Sequence, residues 1–595
     1  MSTLDRAASP SSPDPRPTAS SAPAKPVAAR VWPIVVLVGI YWAVMLGLRL
    51  SDAPIYALFM TSMAASLGLL LLVCGWWLTN GTIPRRERVI GFLALLLGGI
   101  AAGVLCDPSV GPIGLIFSAI PFVLTVWAVW LVVARNRAPL RRVGLVVLTL
   151  GLWGFFTLVR ADGIDGDNQA AVSFRWSPTR EEQYLASLKN EQAAPPATDE
   201  AVALTAGDGD WPEFRGPNRL GEVHGVRIAT DWTKSPPKEL WRKRIGPSWS
   251  SVVIIGNRLF TGEQRGDQEC TVCLDTANGN EIWVHKDTTR FTDGQAGAGP
   301  RATPTFHEGD LFTQGASGVL DCLDAATGKL KWTRNIATDS GAPLPMWGFS
   351  SSPLVAEGVV VAYAGAPGDK GLLGYRQSDG EQVWSAPTGV ASYSSPQLAT
   401  IGGQQQVLFF SDLGLMAVDQ KTGAVRWKHD AASPNIWRVV QPRQLDSGGF
   451  LIGSEDLGLV RLEVTPDGDS WKTEQRYATR SLRPAYNDFV VLNGTVYGFD
   501  ESIFCAIDVE TGKRRWKSGR YGHGQVLLLA DQPLLLVLSE SGEVILVAAN
   551  PEKHEELARM EAVHGKTWNH PVIAHGKLFV RNDEEIACYE LQAAE

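Results

Sequence analysis

Tryptophan recurs through the C-terminal part of this chain at Trp241, Trp283, Trp332, Trp384, Trp427, Trp471 and Trp516, in steps of 42, 49, 52, 43, 44 and 45 residues. That spacing is the length of a four-stranded propeller blade, ~40–50 residues, and is too long for leucine-rich or ankyrin units. Helical repeats of similar length are excluded by what lies between. Each unit is rich in Val, Leu, Phe and Gly, alternates with period two, and lacks a helix-length amphipathic stretch. Most of the tryptophans close one motif: small residue, apolar residue, Asp, a few polar residues, Gly, three residues, Trp. It runs from Cys273-Leu274-Asp275 through Gly279 to Trp283, and from Cys322-Leu323-Asp324 through Gly328 to Trp332. It returns from Ala417-Val418-Asp419 through Gly423 to Trp427, and from Ala506-Ile507-Asp508 through Gly512 to Trp516. Degenerate copies run from Tyr375 through Gly380 to Trp384 and from Leu462 through Gly468 to Trp471.

Each element of the motif has a physical task. Asp and Thr side chains bond nearby amides in a turn, and Gly supplies the positive φ of a short hairpin. The Trp then falls in the outer strand, where a large ring can fill the gap between sheets. Trp241 arrives before any complete repeat, and the last unit, 568–590, has three strands and no outer Trp strand. Strand 239–244 is therefore expected to complete that last sheet. The expected blades are 247–286, 300–336, 347–387, 391–431, 436–477, 481–519, 522–561, and 567–590 with 238–245: eight, with seven open because the unit ending near Leu557 lacks the Trp.

Residues 31–159 differ entirely. They hold five apolar runs, Val31–Leu48, Pro54–Leu78, Val89–Leu105, Pro112–Ala134 and Val143–Val159, with no acidic or basic residue inside them. Each is ~17–25 residues, long enough to cross a ~30 Å hydrocarbon layer as a helix. Uncharged spans favour an anchor over a transporter. Arg85, Arg86 and Arg88 lie in one loop and Arg135, Arg137, Arg141 and Arg142 in another, whereas the alternate loops carry Asp52 and Asp107 with only Arg49. The positive-inside rule makes the Arg-rich loops cytoplasmic. Five spans then put the remainder of the chain on the periplasmic side of an inner membrane.

Residues 1–30, rich in Pro, Ala and Ser, read as a disordered tail. Residues 160–210 read as a linker with one short helix, capped by Ser177 and opened by Pro178. The formal charge of −8 gives no basic footprint for nucleic acid. The five cysteines beyond the apolar runs, Cys270, Cys273, Cys322, Cys505 and Cys588, would meet an oxidising compartment that permits disulfides. Cys273, Cys322 and Cys588 share a repeat position with Ala417 and Ala506, which points to small-residue packing.

The repeats resemble the pyrroloquinoline-quinone-like (PQQ-like) propeller family; Asp324–Trp332, Asp419–Trp427 and Asp508–Trp516 match its Ala-x-Asp-x-x-Thr-Gly-x-x-x-Trp pattern. The block Trp211-Pro212-Glu213-Phe214-Arg215-Gly216-Pro217 looks like the segment that leads into such propellers. The resemblance covers about residues 210–590. It implies an all-β, eight-bladed, quinoprotein alcohol dehydrogenase-like fold behind a multi-pass helical anchor, domains at 31–159 and 211–595, and two functional readings. One is a binding or scaffolding module, as in the outer-membrane barrel-assembly propeller lipoprotein. The other is a PQQ- and Ca²⁺-dependent sugar or alcohol dehydrogenase feeding membrane quinone, since five spans before an outside propeller is also the layout of membrane-bound glucose dehydrogenases. The chain departs from the soluble quinoprotein dehydrogenases in having no Cys-Cys dipeptide and no long insertions between repeats. No Glu, Asn and Asp set for Ca²⁺ is assigned.

Inner-strand entrances line the central channel of any propeller. Aligning the units places Trp249, Arg301, Ser350, Tyr393 and Trp568 together there, with Trp347, Trp437, Arg438, Arg483, His523 and His570 close by. The expected binding residues are Trp249, Arg301, Tyr393, Arg438 and Trp568. Such an aromatic and cationic funnel suits a planar anion such as a quinone tricarboxylate, or a peptide. The same rings could instead simply pack the blade ends. Lys370, His285 and His429 fall on loops or outer strands, where solvated surface is the default. No catalytic triad, phosphate loop or His-x-x-x-His metal spacing stands out.

Overall fold

A computed structural model describes residues 29–50, 55–166, 170–189, 203–433, 438–468 and 470–594. The proposed N-terminal tail and the Pro pair of the linker lie largely outside these residues, as does Trp437. The chain forms two compact units, Met1–Arg160 and Ala161–Glu595.

In the first unit the five apolar runs become helices α1 (Trp32–Arg49), α2 (Ile55–Thr79), α3 (Arg85–Leu105), α4 (Gly111–Val133) and α5 (Ala138–Leu158). All five are long and apolar enough to cross a membrane. Leu71, Leu97, Val104 and Val147 point outward, 59–78 % exposed, a surface that belongs against lipid. Inside, rings lie on glycines: a Cβ at Gly91 would come within 2.8 Å of the Trp77 ring, and one at Gly98 within 2.6 Å of Trp153. Small residues are what let membrane helices approach this closely. A turn of α4, Leu115–Ala119, widens to a π-helix ahead of Pro121, whose nitrogen has no hydrogen to donate. Helices α3 and α5 start four and five residues before their apolar runs and so include charges in their first turns. One of these pairs, Glu87 with Arg141, is buried at 2.9 Å.

The second unit is the eight-bladed propeller. Seven consecutive sheets span 253–287, 305–335, 354–386, 397–430, 443–479, 490–520 and 525–561 (blades 1–7), each with four antiparallel strands, and in blade 7 a fifth, Glu222–Val223, adds in parallel beside Leu528 and Leu529. Blade 8 is made from both ends of the repeat region. Strands 572–574, 577–581 and 585–590 are completed by Lys238–Arg244, with Cys588 opposite Trp241. The expected closure is what forms, and the count is eight.

The motif works across blade boundaries. In each outer pair the small residue faces the Trp: Cys273 opposite Trp283, Cys322 opposite Trp332, Ala417 opposite Trp427, Ala506 opposite Trp516. The ring then leans onto the glycine turn of the next blade. The Trp283 Nε1 donates to the Ala325 carbonyl at 3.2 Å, and a Cβ at Gly328 (φ +72°) would come within 2.6 Å of that ring. Trp241, Trp332 and Trp384 repeat this with Gly279, Gly380 and Gly423. The Asp anchors each turn: Asp324 Oδ1 accepts from the Thr327 amide at 2.9 Å and its hydroxyl at 2.7 Å.

Two expectations fail. Trp471 is not a rung of the ladder. Blade 5's last hairpin extends to Asp467 and Ser470, Trp471 pairs with Pro466 near its tip, and Tyr477 takes the rung opposite Arg461, stacking on Gly512 and donating to the Val509 carbonyl. The linker helix, α6 (Arg180–Leu188), is capped by Thr179 rather than Ser177. Thr179 Oγ1 accepts from the Glu182 amide while the Glu182 carboxylate accepts from the Thr179 amide, a reciprocal capping box.

Candidate functional site

The two ends of the central channel differ. Along the inner strands runs the lead-in segment Trp211–Glu222, which touches every blade. Trp211 bridges to Ile254 of blade 1, and the Phe306 amide of blade 2 donates to the Pro212 carbonyl. Arg219, 1 % exposed, donates to the carbonyls of Ser352 and Pro353 in blade 3 and Pro396 in blade 4. Glu222 pairs with Arg443 of blade 5 at 2.6 Å, and Arg215 pairs with Asp488 of blade 6 at 3.4 Å. The Leu528 amide of blade 7 donates to the Gly221 carbonyl, and Phe214 meets the His570 ring of blade 8 edge-on. Arg215, Gly216, Asn218, Arg219 and Gly221 all have φ between +58° and +75°. That run of left-handed residues coils the segment tightly enough to reach all eight sheets. Among the described residues it plugs one end of the channel, which leaves the other mouth for a ligand.

That mouth is formed by the segments that lead into the inner strands, two to five residues upstream of the plug contacts. Trp249 and Trp568 lie ring to ring at 4.8 Å, with the Lys566 ammonium 4.9 and 4.1 Å from their centroids. Tyr486 packs on Trp568 at 5.1 Å and stacks on His523 at 4.9 Å. Glu540 accepts from the Trp568 indole at 2.7 Å and from the His523 amide at 3.0 Å. Burial pushes the Lys566 ammonium below its usual range, against the opposing pull of Asp583, Glu540, Asp165 and Asp293.

The mouth holds polypeptide. The loop Ile164–Gly166, ahead of α6, lies over Lys566 and Glu540. Lys566 Nζ donates to the Ile164 carbonyl at 2.7 Å, the Gly166 amide donates to Glu540 Oε1 at 2.6 Å, and the Ile164 amide donates to the Gln295 carbonyl at 3.3 Å. All three bonds use main-chain groups of the loop. A Cβ at Gly166 would collide with His523 and Tyr486.

Of the expected binding residues, Trp249 and Trp568 come together as the centre of the site. Tyr393 stands further round the ring against Trp347, centroids 5.3 Å apart, and its hydroxyl accepts from the Trp347 amide. The two arginines are committed elsewhere. Arg301 donates to Asp293 and to the carbonyls of Gly297 and Gly299, with its guanidinium 4.7 Å from the Phe291 ring centroid. Arg438 is fully buried on Asp456, Ser454 and the Ala431 carbonyl. Lys566, Glu540 and Tyr486 were missed. Lys566, two residues before Trp568, was findable; Glu540 comes from a strand connection that no inner-strand alignment reaches.

The cysteines beyond the apolar runs are free and buried. Burial pushes the thiols of Cys270, Cys322, Cys505 and Cys588 up to about 12, which removes them from redox or nucleophilic use.

Residues 267–518 match a family model described as outer membrane protein assembly factor BamB. The BamB of Burkholderia pseudomallei is 22 % identical over 351 residues, 56 % of this chain and 81 % of that protein. A polyvinylalcohol dehydrogenase of Pseudomonas sp is 25 % identical over 199 residues, 29 % of this chain and 26 % of that enzyme. Among solved structures, quinohemoprotein alcohol dehydrogenase from Pseudomonas putida HK5 overlaps with a TM-score of 0.49 at 12 % identity, covering 66 % of this chain and 84 % of that one. Four full copies of the Asp-Gly-Trp motif among eight blades, together with these sequence matches, make the propeller of this chain similar to the PQQ-like repeat family.

Proposed function

We propose that this is a propeller, anchored in the inner membrane and facing the periplasm, that binds extended polypeptide at its open mouth. The observation that carries it is the loop Ile164–Gly166, held by Lys566, Glu540 and the Gln295 carbonyl through its own backbone. Backbone-directed bonds beside a paired-tryptophan wall select an extended chain and tolerate many side chains. The kinship with assembly-factor propellers supports the same reading. The tethered loop acts as an internal competitor, since a short tether holds it at millimolar effective concentration.

The dehydrogenase reading needs cations for a quinone tricarboxylate. Arg301 and Arg438, the arginines expected to supply them, are bonded to Asp293 and Asp456 instead, which leaves Lys566 as the cation beside the tryptophans, too few for three carboxylates.

The test uses the full chain in detergent and a labelled synthetic peptide with the sequence of residues 161–170. Gly166→Ala should expel the tethered loop and raise peptide affinity at least tenfold. Adding Lys566→Ala or Trp568→Ala should remove that gain. Failure of the Gly166→Ala protein to bind the peptide more tightly than wild type would sink the proposal. Adding PQQ with Ca²⁺ should leave the melting temperature unchanged, whereas ligand at 100 times Kd would stabilise by ~2.7 kcal/mol.

A further inference from the structure

His285 was expected on solvated surface and is not there. It lies on the outer strand of blade 1 (Glu281–Asp287), only 14 % exposed, with Asp287 on the same face and Asp321 of blade 2 opposite. Its Nε2 is 3.5 Å from Asp287 Oδ1 and 3.5 Å from Asp321 Oδ2, and one donor atom from each of the three residues falls within 4.8 Å of the others. We propose that these three residues form a divalent transition-metal site that staples blade 1 to blade 2.

Two observations separate this from an ordinary ion pair. The first is geometric. A tetrahedral ion with metal–ligand bonds of about 2.0–2.1 Å sets neighbouring ligand atoms about 3.4 Å apart. Both His–Asp separations have this length, too long for a good hydrogen bond and right for two edges of a tetrahedron. The second is an unmet need. The Asp321 side chain is 1 % exposed, and its Oδ1 is buried with no hydrogen-bond partner among the described residues; His285 Nε2 is likewise without one. A buried carboxylate with one oxygen unbonded and the other, Oδ2, set 3.5 Å from an unbonded imidazole nitrogen is costly, and a cation held by the carboxylate and the imidazole satisfies both groups.

A cavity of about 20 Å³ adjoins the cluster, lined by Asp287, by Thr271, the cross-strand partner of His285, and by Thr313, the cross-strand partner of Asp321. It is large enough for one water, the fourth ligand that a three-residue site needs. One imidazole with two carboxylates suits Zn²⁺, Co²⁺ or Mn²⁺ better than a thiolate-seeking ion. Asp287, 28 % exposed, leaves an entry path from solvent.

The full chain, purified in detergent and stripped with chelator, should bind one equivalent of Co²⁺ with the intense visible absorption of a tetrahedral complex, displaced by Zn²⁺. His285→Gln, at a partly exposed position, should retain the fold by circular dichroism and lose that absorption. Asp321→Asn should lose it too, and Zn²⁺ should raise the melting temperature of the wild type alone. Absence of Co²⁺ binding by the wild type, or an unchanged spectrum in a folded His285→Gln protein, would overturn the assignment.

Discussion

The glycine and the tryptophan of one motif copy are four residues apart in sequence yet serve opposite neighbours. Gly328 receives the ring of Trp283 from the preceding blade, while Trp332 of the same copy leans on Gly380 of the next. A side chain at Gly328 meets both a left-handed φ and the indole, so Gly328→Ala should cost more than ~1 kcal/mol, read as a lower urea midpoint. Trp283→Ala should cost ~3–5 kcal/mol by the same measurement, since it empties a fully lined gap. Arg219 is a sharper case. Removing it leaves carbonyls of blades 3 and 4 unbonded in the channel, and Arg219→Ala should destabilise by ~3–5 kcal/mol. This tier was largely readable in the sequence, because turn chemistry and residue size act locally. Trp471 was misread for a definable reason: Gly468 precedes it by three residues rather than four, and its turn lacks the Asp–Thr pair. The burial of Arg301 and Arg438 was not readable, since their carboxylate partners are set by loop paths that no periodicity encodes.

Among the elements, α6 shows how a short helix is tied to a rigid ring. Arg180 pairs with Glu584, Glu181 with Arg290 at 2.8 Å, and the Tyr184 hydroxyl donates to Glu263 at 2.8 Å. Burial, with Arg180 opposing it, pushes the Glu584 carboxyl up to about 7. A carboxyl that binds its proton more tightly when folded loses stability for the protein as pH rises from its unfolded pKa, about 4.5, to the folded value, about 7. Glu584→Gln should therefore gain stability relative to wild type across that window and show no further relative change above it. Melting curves at half-unit pH steps test this. Capping boxes are sequence signatures, and Thr179-Arg180-Glu181-Glu182 carried one that the Ser177–Pro178 reading passed over. The lead-in plug was legible only as a block of residue types, Trp211 to Pro217; that it meets all eight blades follows from five positive-φ residues between 215 and 221 that no pattern announces.

For the whole molecule, the proposed orientation rests on the Arg-rich loops at 85–88 and 135–142. A phosphatase reporter fused after Glu595 should be active, since that enzyme folds only outside the cytoplasm, and inactivity there with activity in a loop fusion at Arg137 would reverse the assignment. The number of spans and the number of blades both came from counting, which is why they were legible. Which channel mouth is open could not be counted, because it depends on two segments, 161–166 and 211–222, that belong to no repeat. Closure of the ring carries a consequence in time. Lys238–Arg244 waits unpaired for a strand that ends at Glu590, nearly 350 residues later. At ~5–20 residues per second that is about 20–70 s of synthesis. Throughout that interval the nascent chain presents a bare sheet edge able to pair with any passing strand, so only a chain made through Glu590 can shut itself against its neighbours.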